Sequence, residues 1–367
     1  MQRLFAQILI PFTFASLAVP AVAERDIVFA ARYYAKPGVR QTTYFHLYRI
    51  NPDGSGRTLL TSGKHDDTVP RWSPDGRWIA FTRDNNQLCV IRAVGGSLRV
   101  VCSNNYHPKN GASVYINFNE AKWLPDSRHL LLPADASKAS LIVDAGSGGS
   151  RALPAPILDA TVSPFGPRVC VLGADGVIYI ADAGASALKK LVSLSGELLY
   201  PAWLTPKVVV GTVESEGDAA DSLAAYDATS GKKLWGGVVT LRKPVNSDLG
   251  QSYRGTIAIP GDTQSFILAN DVSNSTVRPD NDYYRVQTKT CKASLWLPDS
   301  QCLVFSPKGK RYVTSSARDI SPYGPKRGGR QPGVWTAQLC VGATVTDPKP
   351  RAIVQGLVWV LDADWRK

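Results

Sequence analysis

Six cysteines, four histidines and one dense run of cations are the side chains of this 367-residue chain whose types and spacing could do chemistry. A two-residue turn at Gly95-Gly96 sets Cys89 opposite Cys102, at a non-hydrogen-bonded position where two strands come close enough for a disulfide. Cys291 and Cys302 are the second candidate pair, while Cys170 and Cys340 are expected as buried free thiols. No Cys-x-x-Cys occurs, so cysteine zinc sites and thioredoxin-like redox chemistry have no basis. His46, His65, His107 and His129 lack the close spacing of a metal motif and read as surface or turn residues. Between 308 and 330, Lys308, Lys310, Arg311, Arg318, Lys326, Arg327 and Arg330 stand against one acid, Asp319. Within that run, Lys326, Arg327 and Arg330 lie on a Pro/Gly-rich stretch, the candidate loop for gripping an anionic partner. The stretch 214–221 is acidic instead.

Whether the thiols pair depends on the compartment. The first 23 residues read as a secretory leader: Arg3, an apolar stretch over 4–19, and Ala21-Val22-Ala23 before a cleavage point at Glu24. The expected location is the periplasm or the medium, where disulfides persist. Pro11, Gln7 and Pro20 interrupt the apolar stretch, which argues against a permanent membrane anchor. Of 42 basic residues, removal of Arg3 leaves 41 against 30 acids, a surplus that favours anionic partners. Nucleic acid is not expected, because no recognition module is legible.

The elements that must position these side chains come from a repeat. Its clearest copy is Trp72-Ser73-Pro74-Asp75-Gly76, followed by Trp78-Ile79-Ala80-Phe81. Pro presets φ, Asp bonds back to the backbone and Gly accepts a positive φ, so the copy is a tight turn between two strands. Related turns carry Pro125, Pro164, Pro206, Pro260 and Pro307, 39 to 54 residues apart. Blades of four short strands take roughly 40–50 residues. A second Gly-rich turn recurs at Gly95-Gly96, Gly146–Gly149, Gly184 and Gly231, where the third and fourth strands of a blade would join. On this reading Asp75, Asp126 and Asp299 serve turns, and Trp72, Trp123 and Trp203 pack one blade on the next.

The chain therefore reads as an all-β propeller over 24–367. Residues 27–60 supply three strands of a blade that lacks its first. The C-terminal 357–365 looks like that missing strand, with Trp365 in the place Trp72 holds. Pairing the termini closes the ring and removes free sheet edges. Six internal blades and this composite one make seven. A count of six stays open, because Trp296-Leu297-Pro298-Asp299-Ser300 and Phe305-Ser306-Pro307-Lys308-Gly309 are too close for both to start blades. Pro307 is preferred, since 334–341 and 351–354 then complete that blade.

The Trp-Ser-Pro-Asp-Gly turn followed by Trp-Ile-Ala-Phe resembles the repeat of TolB-type propellers, also called WD40-like PD40 repeats. The resemblance implies a propeller with the motif between the first and second strands of each blade. It implies no single activity, because such propellers serve as binding scaffolds, peptidase-associated domains and enzymes. Relatives among the oligogalacturonate lyases use a metal and histidines, which would draw on loops such as those of His65 and His107. No room is expected for the additional N-terminal α/β domain of TolB, and no Gly-x-Ser-x-Gly elbow marks a hydrolase. Tyr226–Trp235 is similar to one repeat of quinoprotein propellers, but a single copy implies no cofactor, and none is expected. The sequence points to a non-enzymatic scaffold for a protein or an anionic envelope polymer. The rival is a lyase or hydrolase acting on an anionic carbohydrate at the mouth of a central channel.

Overall fold

At the first motif the chain reverses within five residues. Ser73 N–H donates to the Trp78 carbonyl at 2.8 Å and Gly76 N–H to the Ser73 carbonyl at 2.8 Å. Asp75 Oδ1 accepts from Arg77 N–H at 3.0 Å, and Gly76 sits at φ +66°, where a side chain would be strained. Ser306 and Gly309 repeat the same two backbone bonds around Pro307. In the computed structural model, which describes residues 27–36, 41–104, 118–133, 139–184, 187–196, 198–213, 221–239, 241, 255–271, 281–319, 335–343 and 349–366, these turns build seven four-stranded antiparallel sheets.

Blade 1 is ordered Trp359–Trp365, Ile27–Arg32, His46–Ile50, Thr58–Leu59, and blade 2 is Asp67–Trp72, Trp78–Arg83, Gln87–Arg92, Arg99–Ser103. Blade 3 is Lys122–Trp123, His129–Leu132, Leu141–Asp144, Ser150–Ala152, and blade 4 is Ile157–Val162, Arg168–Gly173, Ile178–Gly184, Ala187–Ser193. Blade 5 is Leu199–Thr205, Val208–Val213, Asp221–Asp227, Lys233–Val239. Blade 6 is Thr256–Ala258, Ser265–Asp271, Asn281–Gln287, Ala293–Ser300, and blade 7 is Leu303–Phe305, Arg311–Asp319, Trp335–Ala343, Arg351–Leu357. The first strand of each order is the inner one. Ring closure is as the sequence implies: Ile27 faces Trp365, Val28 faces Asp364 and Ala30 faces Asp362. The Trp296 copy of the motif starts no blade. It lies in the outer strand of blade 6, and its ring packs 4.8 Å from Tyr312 and 5.9 Å from Phe305 of blade 7.

The core is distributed rather than central. Seven apolar clusters fill the seven blade-to-blade interfaces, from Phe29, Val313 and Trp365 between blades 1 and 7 to Trp296, Phe305 and Tyr312 between blades 6 and 7. Each blade thus buries its two faces against its neighbours, as repeat architectures require. The tryptophans act as expected across these interfaces. Trp123 Nε1 donates to the Arg71 carbonyl of blade 2, and Trp203 Nε1 to the Thr161 carbonyl of blade 4, each at 3.0 Å. Both acceptors stand one residue before the position equivalent to the tryptophan in the preceding blade. Trp72 is buried equally well, yet its indole N–H has no partner among the described residues.

The cysteine pairings are corrected. All six cysteines are free thiols. The Gly95-Gly96 turn is wider than two residues: Val90 faces Arg99, Cys89 faces Val100, and a bulge then brings Cys102 opposite Leu88. That bulge sends the two thiols to opposite sides of the blade. Cys89 joins the core between blades 1 and 2, and Cys102 packs against the core between blades 2 and 3. Cys291 lies between blades 5 and 6 and Cys302 between blades 7 and 1, so they too are in separate cores.

Candidate functional site

All seven inner strands contribute to one cavity of about 840 Å³ along the axis of the ring. Its charged lining is Glu120, Asp159, Asp362 and Asp364 against Arg71 and Lys122. Strand alternation explains the two aspartates of blade 1, since residues two apart share a face. Arg71 Nη1 donates to Asp362 Oδ2 at 2.6 Å, and Asp364 Oδ2 accepts the Trp72 backbone N–H at 2.7 Å. The guanidinium of Arg71 is pulled down by burial and, more strongly in sum, raised by Asp362 and Asp364. Lys122 Nζ meets Glu120 Oε2 at 3.2 Å. Both cations of the channel are therefore committed to acids of the channel.

Two carboxylates nearby strain against one another. Burial raises the Asp159 carboxyl above the usual range and Glu120 adds to it, against the pull of Lys122 and the Ala160 N–H. Tyr200 shifts upward for the same reasons, burial first and then Asp159 and Glu120. Cys302 is the one thiol in the lining. Burial pushes it up to about 12, with Ser315 Oγ at 3.4 Å, so it is not a thiolate near neutrality. Among the described residues no group of three His, Cys, Asp or Glu side chains could hold a metal ion.

The sequence-nominated residues go elsewhere. His65 Nδ1 lies 2.6 Å from Asp84 Oδ2, and His129 Nδ1 2.6 Å from Asp126 Oδ2, both serving turns away from the channel. Lys326, Arg327 and Arg330, together with His107, the stretch 1–23 expected as a leader and the acidic 214–220, lie outside the described residues. The described ends of that basic segment, Asp319 and Trp335, face each other across strands two and three of blade 7. Missed altogether were Asp159, Asp362 and Asp364. The Asp-x-Asp spacing of the last strand was the visible signal for Asp362 and Asp364.

A second concavity, of about 410 Å³, opens between blades 2 and 3 on the side of the motif turns. The Trp78 indole carries Arg99 at 4.9 Å and Arg92 at 5.6 Å from its ring centre. Arg92 faces Trp78 across the sheet and Arg99 faces Val90, so all three project from the same face of blade 2. Arg99 Nη1 reaches across to the Gly146 carbonyl at 2.6 Å. On the blade 3 side, Arg128 Nε binds Asp144 Oδ2 at 2.7 Å, and Asp144 Oδ1 accepts the Gly146 and Ser147 N–H groups. Burial opposes ionisation of Asp144, but these donors outweigh it and hold its carboxyl at about 2. The Asp75 N–H donates to Ser127 Oγ at 2.9 Å and ties the two motif turns together beneath the groove.

No protein-family model matches the chain, and no curated protein sequence does. Among solved structures it is similar to TolB from Acinetobacter baumannii, with 17% identity, 94% of this chain and 67% of that one covered, and a TM-score of 0.48. It is similar to the hydrazine synthase of Kuenenia stuttgartiensis at 14% identity, covering 78% of this chain and 80% of that one, with a TM-score of 0.50. An oligogalacturonate lyase in complex with manganese shares 13% identity over 87% of this chain and 91% of its own, also at 0.50. Such identities speak for fold alone. The repeat motif builds a seven-bladed β-propeller, and that is the fold of this chain.

Proposed function

We propose that this chain is an exported, periplasmic or secreted, non-enzymatic scaffold that binds an anionic envelope polymer on the outer surface of the ring. The division of charge carries this reading. The chain as a whole has a net charge of +12, yet its channel shows four carboxylates and two cations already paired with acids. A polyanion is repelled from such a channel and attracted to the outside. A lyase or hydrolase working on an anionic carbohydrate at the channel mouth fits poorly for the same reason, although the fold is similar to an oligogalacturonate lyase. A protein partner is the second reading, favoured by the channel itself: Trp72, Trp123, Tyr200 and Tyr283 stand beside the carboxylates and suit a cationic polypeptide segment.

The test is retention of the purified protein on immobilised polygalacturonate compared with neutral dextran, over a range of salt, with the eluate assayed for unsaturated uronides. Retention on the polyanion alone, falling steeply with salt and without uronide release, is the expected result. Equal retention on both matrices overturns polyanion binding, and release of uronides overturns the non-enzymatic reading.

A further inference from the structure

The groove between blades 2 and 3 differs from the channel in having cations in excess. Asp144 is its only carboxylate among the described residues, and Arg128 with two turn amides neutralises it. Arg92 and Arg99 are then left with the indole of Trp78 as their common support. A guanidinium stacked on an aromatic ring keeps its in-plane N–H groups for an acceptor and loses little freedom when one arrives. Arg99 spends one such group on the Gly146 carbonyl, which fixes its orientation across the groove. Arg92 makes no side-chain hydrogen bond among the described residues, and its side chain is exposed.

We propose that Arg92 and Arg99, which both lie over the Trp78 ring, form a receptor for one anionic group, a carboxylate or a phosphate, carried by a saccharide chain lying in this groove and passing Arg92 beside it. The proposal rests on the polyanion-binding reading above and names its site. The forked donors of a guanidinium suit the bidentate geometry of both groups.

Calorimetric titration with three probes separates the sources: trigalacturonate, its methyl ester, and inorganic phosphate, all at low salt. The proteins are wild type, Arg92→Gln, Arg99→Gln and, as a distant control on the exposed outer strand of blade 5, Lys233→Gln. Trigalacturonate or phosphate binding to wild type, weakened about tenfold or more in both arginine variants and unchanged in the control, is the expected result. Whichever of the two probes shows that dependence identifies the group. The methyl ester is expected to bind weakly. Arg99→Gln also breaks the bond to Gly146, so Arg92→Gln, which removes no hydrogen bond, keeps the test readable if the former unfolds. Binding that is the same in wild type and both arginine variants overturns the proposal, as does equal weakening in the Lys233 control, which would mean diffuse attraction. If all four proteins are still retained on polygalacturonate in that case, polymer binding stands and only this site is rejected.

Discussion

The channel and the groove are built from the same kinds of side chain and use them in opposite ways. In the channel, charges sit on inner strands and are paid out between blades: Arg71 of blade 2 to Asp362 of blade 1, and the Trp72 amide to Asp364. Those groups hold the ring closed. In the groove, the arginines sit on the second blade's outer arm, stacked on an indole, and only Arg99 is tied to a neighbouring blade.

On this contrast, damage near the axis costs stability, and loss of Arg92 or Arg99 at the groove costs binding. Trp365→Ala carries the largest expected effect. Trp365 is 5% exposed in the core between blades 1 and 7 and completes blade 1. Its truncation is expected to cost about 3–5 kcal/mol in urea denaturation, whereas Arg92→Gln stays within about 0.5 kcal/mol of wild type. A smaller loss at Trp365 than at Arg92 would remove the distinction between the regions.

The tryptophans sharpen it further. Trp123→Phe deletes a hydrogen bond to the Arg71 carbonyl and leaves that acceptor buried, while Trp72→Phe deletes an N–H that has no partner among the described residues. The first substitution is expected to cost about 1 kcal/mol more than the second. Equal costs would mean that these bonds do not staple the blades.

The smallest effect depends on pH. The Asp144 carboxyl is held at about 2, below the ordinary aspartate value of roughly 3.9. Its contribution to stability is complete above that ordinary value and is lost as pH falls through about 4 toward 2. Asp144→Asn is therefore expected to be less stable than wild type at pH 6, with the difference shrinking over that acid range. A difference that is constant with pH would show that Asp144 acts through shape rather than charge.

The ring was legible because turns and spacing are local. Pro-Asp-Gly chemistry at Pro74 and Pro125 marks blades without any knowledge of neighbours, and Trp365 announces closure by copying Trp72. The choice of Pro307 over Pro298 was likewise decided by the strands that had to follow. The Cys89–Cys102 pairing failed on a single bulge, which no turn rule places and which reverses the side a residue faces. The channel was hidden for another reason: Asp159, Asp362 and Arg71 line one cavity only because three different blades converge on one axis. Trp78 was read as a strand residue, and it is one. Its place beneath two arginines depends on register with Arg92 and on a fourth strand that carries Arg99.

Hydrogen exchange of the full-length protein with and without trigalacturonate tests the central claim most directly, because it locates the ligand without altering a residue. The account predicts slowed exchange in the Gly146–Ser147 turn and in Arg99–Ser103, with the inner strands of all seven blades unchanged. Protection concentrated on the inner strands around Asp159, Tyr200 and Asp362, with none at the groove, would contradict it.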